Sequence, residues 1–320
     1  MDLNTYYCDI LKACPALQQV SLSFSTINNG LALLRALGLH SLASPTVMHP
    51  LQATVRTSSI RYISFSSIYR PSTAGVTGLD LSAIFERLHP SLLPSLRTVE
   101  FVVVEWELFG DSSSTIPCFP IPVTSLNLYE ATTSSGSIFP FFPRQSSTLQ
   151  ALRIEGCDGV INLDFKALSR MASTDLRKLE INVWAHRDGN QGMLLTSYAT
   201  QHEPPRLPPD GFQSYPLLTF LDLTNTHGPS LALLQTLVKS SPSLTHVSFS
   251  SSRWICSYNP SSRSHDEIFP ESEIIPELKK FLHLKDIHFG YLPTVDPLRY
   301  EGMKKELETS GIKAECQICT

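Results

Sequence analysis

The sequence predicts an α/β solenoid, with a curved parallel sheet on its concave side and helices and loops on its convex side. Three observations carry that prediction. Pro216 to Thr226, PLLTFLDLTNT, places apolar residues at Leu218, Leu221 and Leu223, an L-x-x-L-x-L spacing. Eight further stretches repeat it, at Leu17/Val20/Leu22, Ile60/Ile63/Phe65, Leu96/Val99/Phe101, Val123/Leu126/Leu128, Leu149/Leu152/Ile154, Leu176/Leu179/Ile181, Leu244/Val247/Phe249 and Leu284/Ile287/Phe289. Four consecutive starts, at 96, 123, 149 and 176, are separated by 27, 26 and 27 residues, within the ~20–29 of one strand-plus-helix unit.

This is the strand signature of a leucine-rich repeat solenoid, and the physics of the motif explains why it must recur. Side chains alternate faces along a strand, so the second and third apolar positions point one way and the residue between them the other. One such strand buries nothing alone. Stacked on its neighbours, each adds side chains to a continuous core at roughly 1.5–3 kcal/mol apiece before chain entropy is subtracted. The repeat runs almost from end to end, so residues 1–320 are read as one leucine-rich repeat domain with irregular insertions near 40–57, 184–214 and 251–273.

In chain order, residues 3–14 place Tyr7, Ile10, Leu11 and Cys14 on one helical face before Pro15. Asn29 can cap a short helix bearing Leu31 and Leu34, and the long interval to Ile60 holds the proline-containing insertion at 40–57. A helix from Asp80 carries Leu81, Ile84, Phe85 and Leu88 and stops near Pro90. LQALRIEGC, 149–157, extends the motif to a final small residue, which predicts a buried Cys157. Ser230 caps a helix with Leu231, Leu234, Leu237 and Val238; Pro276 opens another, with Leu278 and Phe281. The last helix has Asp296 as N-cap, Pro297 in the first position and Gly311 past its end, with a closing strand in IKAECQICT.

Composition removes several function classes. Lys and Arg number 25 against 29 Asp and Glu, a formal net charge of -4, so there is no basic field for nucleic acid or an anionic membrane. No stretch approaches the roughly 18–20 apolar residues of a membrane span, and MDLNTYYCDILKAC has no basic region ahead of an apolar block, as a signal peptide requires. Seven scattered cysteines, an odd number, point to a reducing cytoplasmic or nuclear compartment. Cys316 and Cys319 lie three apart on a predicted strand and so face opposite ways, Cys316 buried and Cys319 exposed; no metal site and no cofactor are expected. His265, Asp266, Glu267, Glu271 and Glu273 read as a solvated charge run. Neither G-x-S-x-G nor a P-loop is present, and no enzyme is expected.

The strand face opposite the core is the candidate binding surface. By alternation it carries Tyr62, Ser64, Thr98, Glu100, Asn127, Tyr129, Arg153, Glu155, Lys178, Glu180, Phe220, Asp222, His246, Ser248, Asp286 and His288. Every repeat must expose something there, so a plainly solvated surface is one reading. The other is recognition of a protein or peptide, since solenoids use this face for partners and aromatic and Arg side chains make interface anchors.

FQSYPLLTFLDLTNTHGPSLALLQTLVKSSPSLTHVSFSSS, 212–252, and LKDIHFGYLP near the end make the chain similar to the irregular repeat regions of fungal F-box-like proteins. The resemblance implies substrate recognition for a ubiquitin ligase, in which an N-terminal F-box binds the ligase adaptor and the repeats hold the substrate. No F-box fits before Leu17, so an adaptor would have to be reached through a missing N-terminal segment. The apolar helix at Tyr7, Ile10 and Leu11 then needs cover from such a segment, a partner chain or a second copy. The expected function is a protein-interaction module on the concave face with the insertions at 184–214 and 251–273 as rims. A free-standing scaffold, or an enzyme with a site in those insertions, are the alternatives.

Overall fold

The computed structural model describes residues 13–14, 16–24, 59–67, 93–102, 105–106, 123–129, 132–133, 148–155, 175–182, 212, 215–224, 230–250, 271–291 and 297–317. The chain divides into two compact units, Met1–Leu149 and Gln150–Thr320. Together they hold ten parallel strands in chain order, the architecture of an α/β repeat solenoid.

In the first unit the sheet runs β1 (Gln19–Phe24), β2 (Tyr62–Ser67), β3 (Thr98–Val102) and β5 (Ser125–Tyr129), all parallel. A separate parallel pair is formed by β4 (Glu105–Trp106) and β6 (Thr132–Thr133). Register aligns equivalent motif positions: Val20, Ile63, Val99 and Leu126 form one row, and Leu22, Phe65, Phe101 and Leu128 the next. All eight are buried. Phe65 and Phe101 stack with ring centroids 5.3 Å apart, an aromatic contact stabilising beyond area burial alone.

In the second unit the order is β7 (Ala151–Glu155), β8 (Lys178–Asn182), β9 (Phe220–Thr224), β10 (His246–Ser248), β11 (Asp286–Tyr291) and β12 (Lys313–Gln317). Leu152, Leu179, Leu221, Val247, Ile287 and Ala314 make one buried row across all six strands. The closing strand predicted in IKAECQICT is therefore β12. Between β11 and β12 the register shifts after His288, where Gly290 takes φ +73°, a bulge conformation that costs glycine nothing.

A repeated turn delivers the chain into these strands. Leu96, Leu218 and Leu244 donate their backbone N–H to the carbonyls of Leu93, Tyr215 and Ser241, at 3.1, 3.2 and 3.1 Å. Each turn has proline second (Pro94, Pro216, Pro242), the position where its fixed φ suits a β-turn. The turn thus places the same apolar residue two positions ahead of every such strand, which sets the register. Leu93 and Tyr215, outside the L-x-x-L-x-L pattern, are buried by it, and Phe212 is buried against Tyr215 at 6.2 Å between centroids.

Three described helices lie in the second unit: α1 (Leu231–Ser240), α2 (Glu271–Leu278) and α3 (Pro297–Thr309). Ser230 caps α1 as predicted, its Oγ accepting from Leu233 N–H at 3.2 Å. The buried face is Leu233, Leu234 and Leu237, with Leu231 and Val238 half-buried at its margins. The start of α2 corrects the sequence reading. Pro276 is not its first residue but lies inside a helix that begins five residues earlier, and Phe281 lies beyond its end. Glu271 and Glu273 in the first turn favour the helix dipole there, and Ile274, Ile275 and Leu278 supply the buried face that outweighs the proline's missing donor.

Gly311 ends α3 as predicted. At φ +80° it donates to Glu308 O at 2.9 Å while Ile312 N–H reaches Leu307 O at 3.0 Å, the two bonds of a Schellman cap. No helix among the described residues is long and apolar enough to cross a membrane. Of the helix predicted at 3–14 only Ala13 and Cys14 are described, and Cys14, expected on the apolar face, is exposed where the chain leaves the helix for the first strand. The predicted helices after Asn29 and at 81–88, together with Cys157, Asp296, Cys319, His265, Asp266, Glu267 and nearly all of the three insertions, lie outside the described residues.

Two stability outcomes follow from this packing. Leu221→Ala should cost roughly 2–5 kcal/mol in denaturant unfolding, whereas its outward neighbour Asp222→Ala should cost under about 1 kcal/mol; equal losses would break the assignment of faces. The two glycines of the α3 region should respond with opposite signs. Gly311→Ala forces a left-handed backbone on alanine and should cost about 1–2 kcal/mol, while Gly302→Ala, mid-helix with open space around the added methyl, should stabilise by about 0.5–1 kcal/mol in thermal melts.

Candidate functional site

Strand alternation places the predicted outward residues on the face away from the core, and register decides which of them meet. In the first unit four converge. Tyr62 and Ser64 on β2 both donate to Oε1 of Glu100 on β3, at 2.6 and 3.0 Å, and Asn127 Nδ2 on β5 donates to Oε2 at 3.4 Å. Ser64, predicted exposed, is only 4% exposed because the carboxylate closes over its hydroxyl. Tyr129 lies two residues past Asn127 on the same half-buried face, and Thr98 sits beside Tyr62 in the register. The phenol of Tyr62 is pushed up to about 12, first by burial and then by its hydrogen bond to Glu100, since a carboxylate acceptor favours the protonated phenol.

The second unit is arranged differently. Arg153 pairs with Glu155 at 2.7 Å on β7, Lys178 with Glu180 at 3.1 Å on β8, and Lys313 with Glu315 at 2.6 Å on β12. In each case the base precedes the acid by two residues, the spacing that puts both on one face of a strand. The Lys313–Glu315 hydrogen bond raises the ammonium pKa and lowers the carboxyl pKa, so each holds the other charged. Asp222 accepts from Thr224 Oγ1 at 2.7 Å.

Across the strands, one register row reads Lys178, Phe220, His246, Asp286. Phe220 and His246 stack with centroids 4.4 Å apart and planes 7° from parallel, and Lys178 Nζ lies 4.9 Å from the centre of the Phe220 ring. The ring is thus held between a cation and an imidazole while remaining half-buried. His288 accepts the Gly290 N–H at Nδ1, 3.1 Å away. Ser248, predicted exposed, is 7% exposed.

On the inward side, Cys316, predicted buried, is only half-buried near the end of the edge strand β12, beside Tyr300, which is itself buried and donates to Ala314 O at 3.4 Å. Burial pushes both the thiol and the phenol up. Among the described residues no three His, Cys, Asp or Glu side chains gather as a metal-binding group. Sequence alternation found the outward residues, but it had no means of finding the Tyr62–Glu100 contact, whose members are 38 residues apart.

No family model matches the chain, and no curated protein matches it in sequence. Among solved structures, a crystal structure of a protein from Bacteroides fragilis is similar to it at 16% identity with a TM-score of 0.43, over 82% of this chain and 66% of that one. The chain therefore spans slightly less than two thirds of that protein's length.

The environment of Tyr62 yields a pH test. Its pKa is raised in the folded state, so its contribution to stability is complete below about 10, the ordinary phenol value, and is lost as pH rises toward about 12. The difference in phenolate absorbance between the wild type and Tyr62→Phe should show one late-titrating tyrosine. Glu100→Gln should bring that titration only part of the way back toward 10, because burial is the larger cause.

Proposed function

We propose that the chain is a non-enzymatic protein-interaction module that holds a protein or peptide segment on its outward strand face. The observation that carries this reading is the Lys178, Phe220, His246 row of the second unit. A half-buried aromatic ring, fixed in place by a stacked imidazole and an overlying ammonium, is a pre-organised anchor of the type that dominates interface energies. Ion pairs on β7, β8 and β12 surround it with polar groups already satisfied within the chain, and such groups suit a rim better than a core. The finer reading, from the resemblance to F-box repeat proteins, is substrate recognition for a ubiquitin ligase, with the adaptor engaged through a further segment.

Affinity capture from the source cell followed by mass spectrometry tests both levels. Phe220→Ala should reduce recovery of specific partners roughly 30-fold, the effect of losing an anchor of about 2 kcal/mol. Lys239→Ala, on the exposed side of α1, should leave recovery unchanged. Recovery of a cullin-type ligase adaptor supports the finer reading, and its absence among otherwise Phe220-dependent partners removes it. Partners that bind Phe220→Ala as well as the wild type would overturn the anchor itself.

A further inference from the structure

We propose that Glu100, with Tyr62 and Asn127 beside it, forms a recognition site for a lysine side chain of a protein partner. The inference rests on the interaction-module reading and deepens it by naming the partner's chemistry.

Glutamates stand at outward positions of β3, β7, β8 and β12, and three of the four carry their own cation. Glu155, Glu180 and Glu315 follow Arg153, Lys178 and Lys313 by two residues and are paired with them. Glu100 has Thr98 in that place. Its partners among the described residues are three neutral donors, the Tyr62 and Ser64 hydroxyls and the Asn127 amide. These fix the carboxylate in position without cancelling its charge. The half-buried setting strengthens the pull on an incoming cation, because a low-dielectric surrounding screens the attraction less than water does.

The hydrogen bonds also select the cation. A carboxylate offers about four acceptor sites, two on each oxygen. Tyr62 and Ser64 occupy both sites of Oε1, and Asn127 takes one of Oε2, which leaves an acceptor site on Oε2 alone. Fork-to-fork pairing with a guanidinium needs a free site on each oxygen, so arginine loses here the two-oxygen geometry that otherwise favours it over lysine. A lysine ammonium needs only one, and Tyr62 and Tyr129 supply aromatic surface along which its aliphatic stem can lie. Acetylation of that lysine would remove the charge the site is built to meet.

The test uses the full chain and three pools of otherwise random peptides whose central residue is fixed as lysine, arginine or acetyl-lysine. The lysine pool should be retained roughly tenfold or more over the acetyl-lysine pool, the effect of one charge-assisted hydrogen bond, and above the arginine pool, whose guanidinium is confined to a single oxygen. Glu100→Gln should abolish that preference. Thr98→Lys should abolish it as well, by supplying from within the cation that Lys178 supplies to Glu180; this variant copies a spacing the fold already uses and so keeps the test independent of any folding defect in the first. Equal retention of the three pools by the wild type, or a lysine preference that persists in both variants, overturns the proposal. If Phe220-dependent partners are still captured while no lysine preference exists, the site fails and the interaction module stands. If neither is found, both fail.

Discussion

Register is the constraint on which everything else in this protein depends. A parallel strand with apolar residues at alternate positions has a buried face only if its neighbours present theirs at the same height, and a slip of one residue would turn the whole apolar set outward. The x-Pro-x-Leu turn prevents that slip. By placing Leu96, Leu218 and Leu244 two residues ahead of β3, β9 and β10, it brings each strand into the sheet at an equivalent point. The backbone rungs then repeat: Thr219 N–H bonds to Arg177 O, Thr245 N–H to Thr219 O, and Lys285 N–H to Thr245 O, at 2.8, 2.9 and 2.9 Å.

The outward face inherits its geometry from the same constraint. Rows that align Leu179, Leu221 and Val247 inside necessarily align Lys178, Phe220 and His246 outside, so the aromatic stack and the cation above it are consequences of core register. The two units then use their rows in different ways. In the second, the glutamates of β7, β8 and β12 are each neutralised by a base two residues before the acid. In the first, neutral donors on three strands converge on a single carboxylate. One arrangement leaves an aromatic anchor in a satisfied polar surround; the other leaves a carboxylate oriented by neutral donors and, among the described residues, without a cation.

The solenoid architecture was legible because it is a local property repeated. Nine copies of one apolar spacing specify strands wherever they occur, and residues such as Ile63, Leu152 and Leu221 are buried where alternation places them. End signals that act within a few residues were legible for the same reason, as with the Ser230 cap and the left-handed Gly311. The start of α2 was not, because Pro276 is a strong local signal overridden by the apolar face of Ile274, Ile275 and Leu278. Tyr215 and Leu93 escaped notice because the turn that buries them lies just outside the motif.

By itself, then, the sequence determined which side chains point toward the core and which away from it, since that depends only on the two-residue period of a strand. It could not determine which outward side chains touch. Tyr62 and Glu100 are separated by 38 residues, and Ser64 loses its exposure to a carboxylate on another strand. Such contacts depend on which strands become neighbours and on how long side chains lean across the 4.7–4.9 Å between them. Tertiary structure alone fixes both, because the length of chain between two strands carries no information about the distance between them once they are stacked.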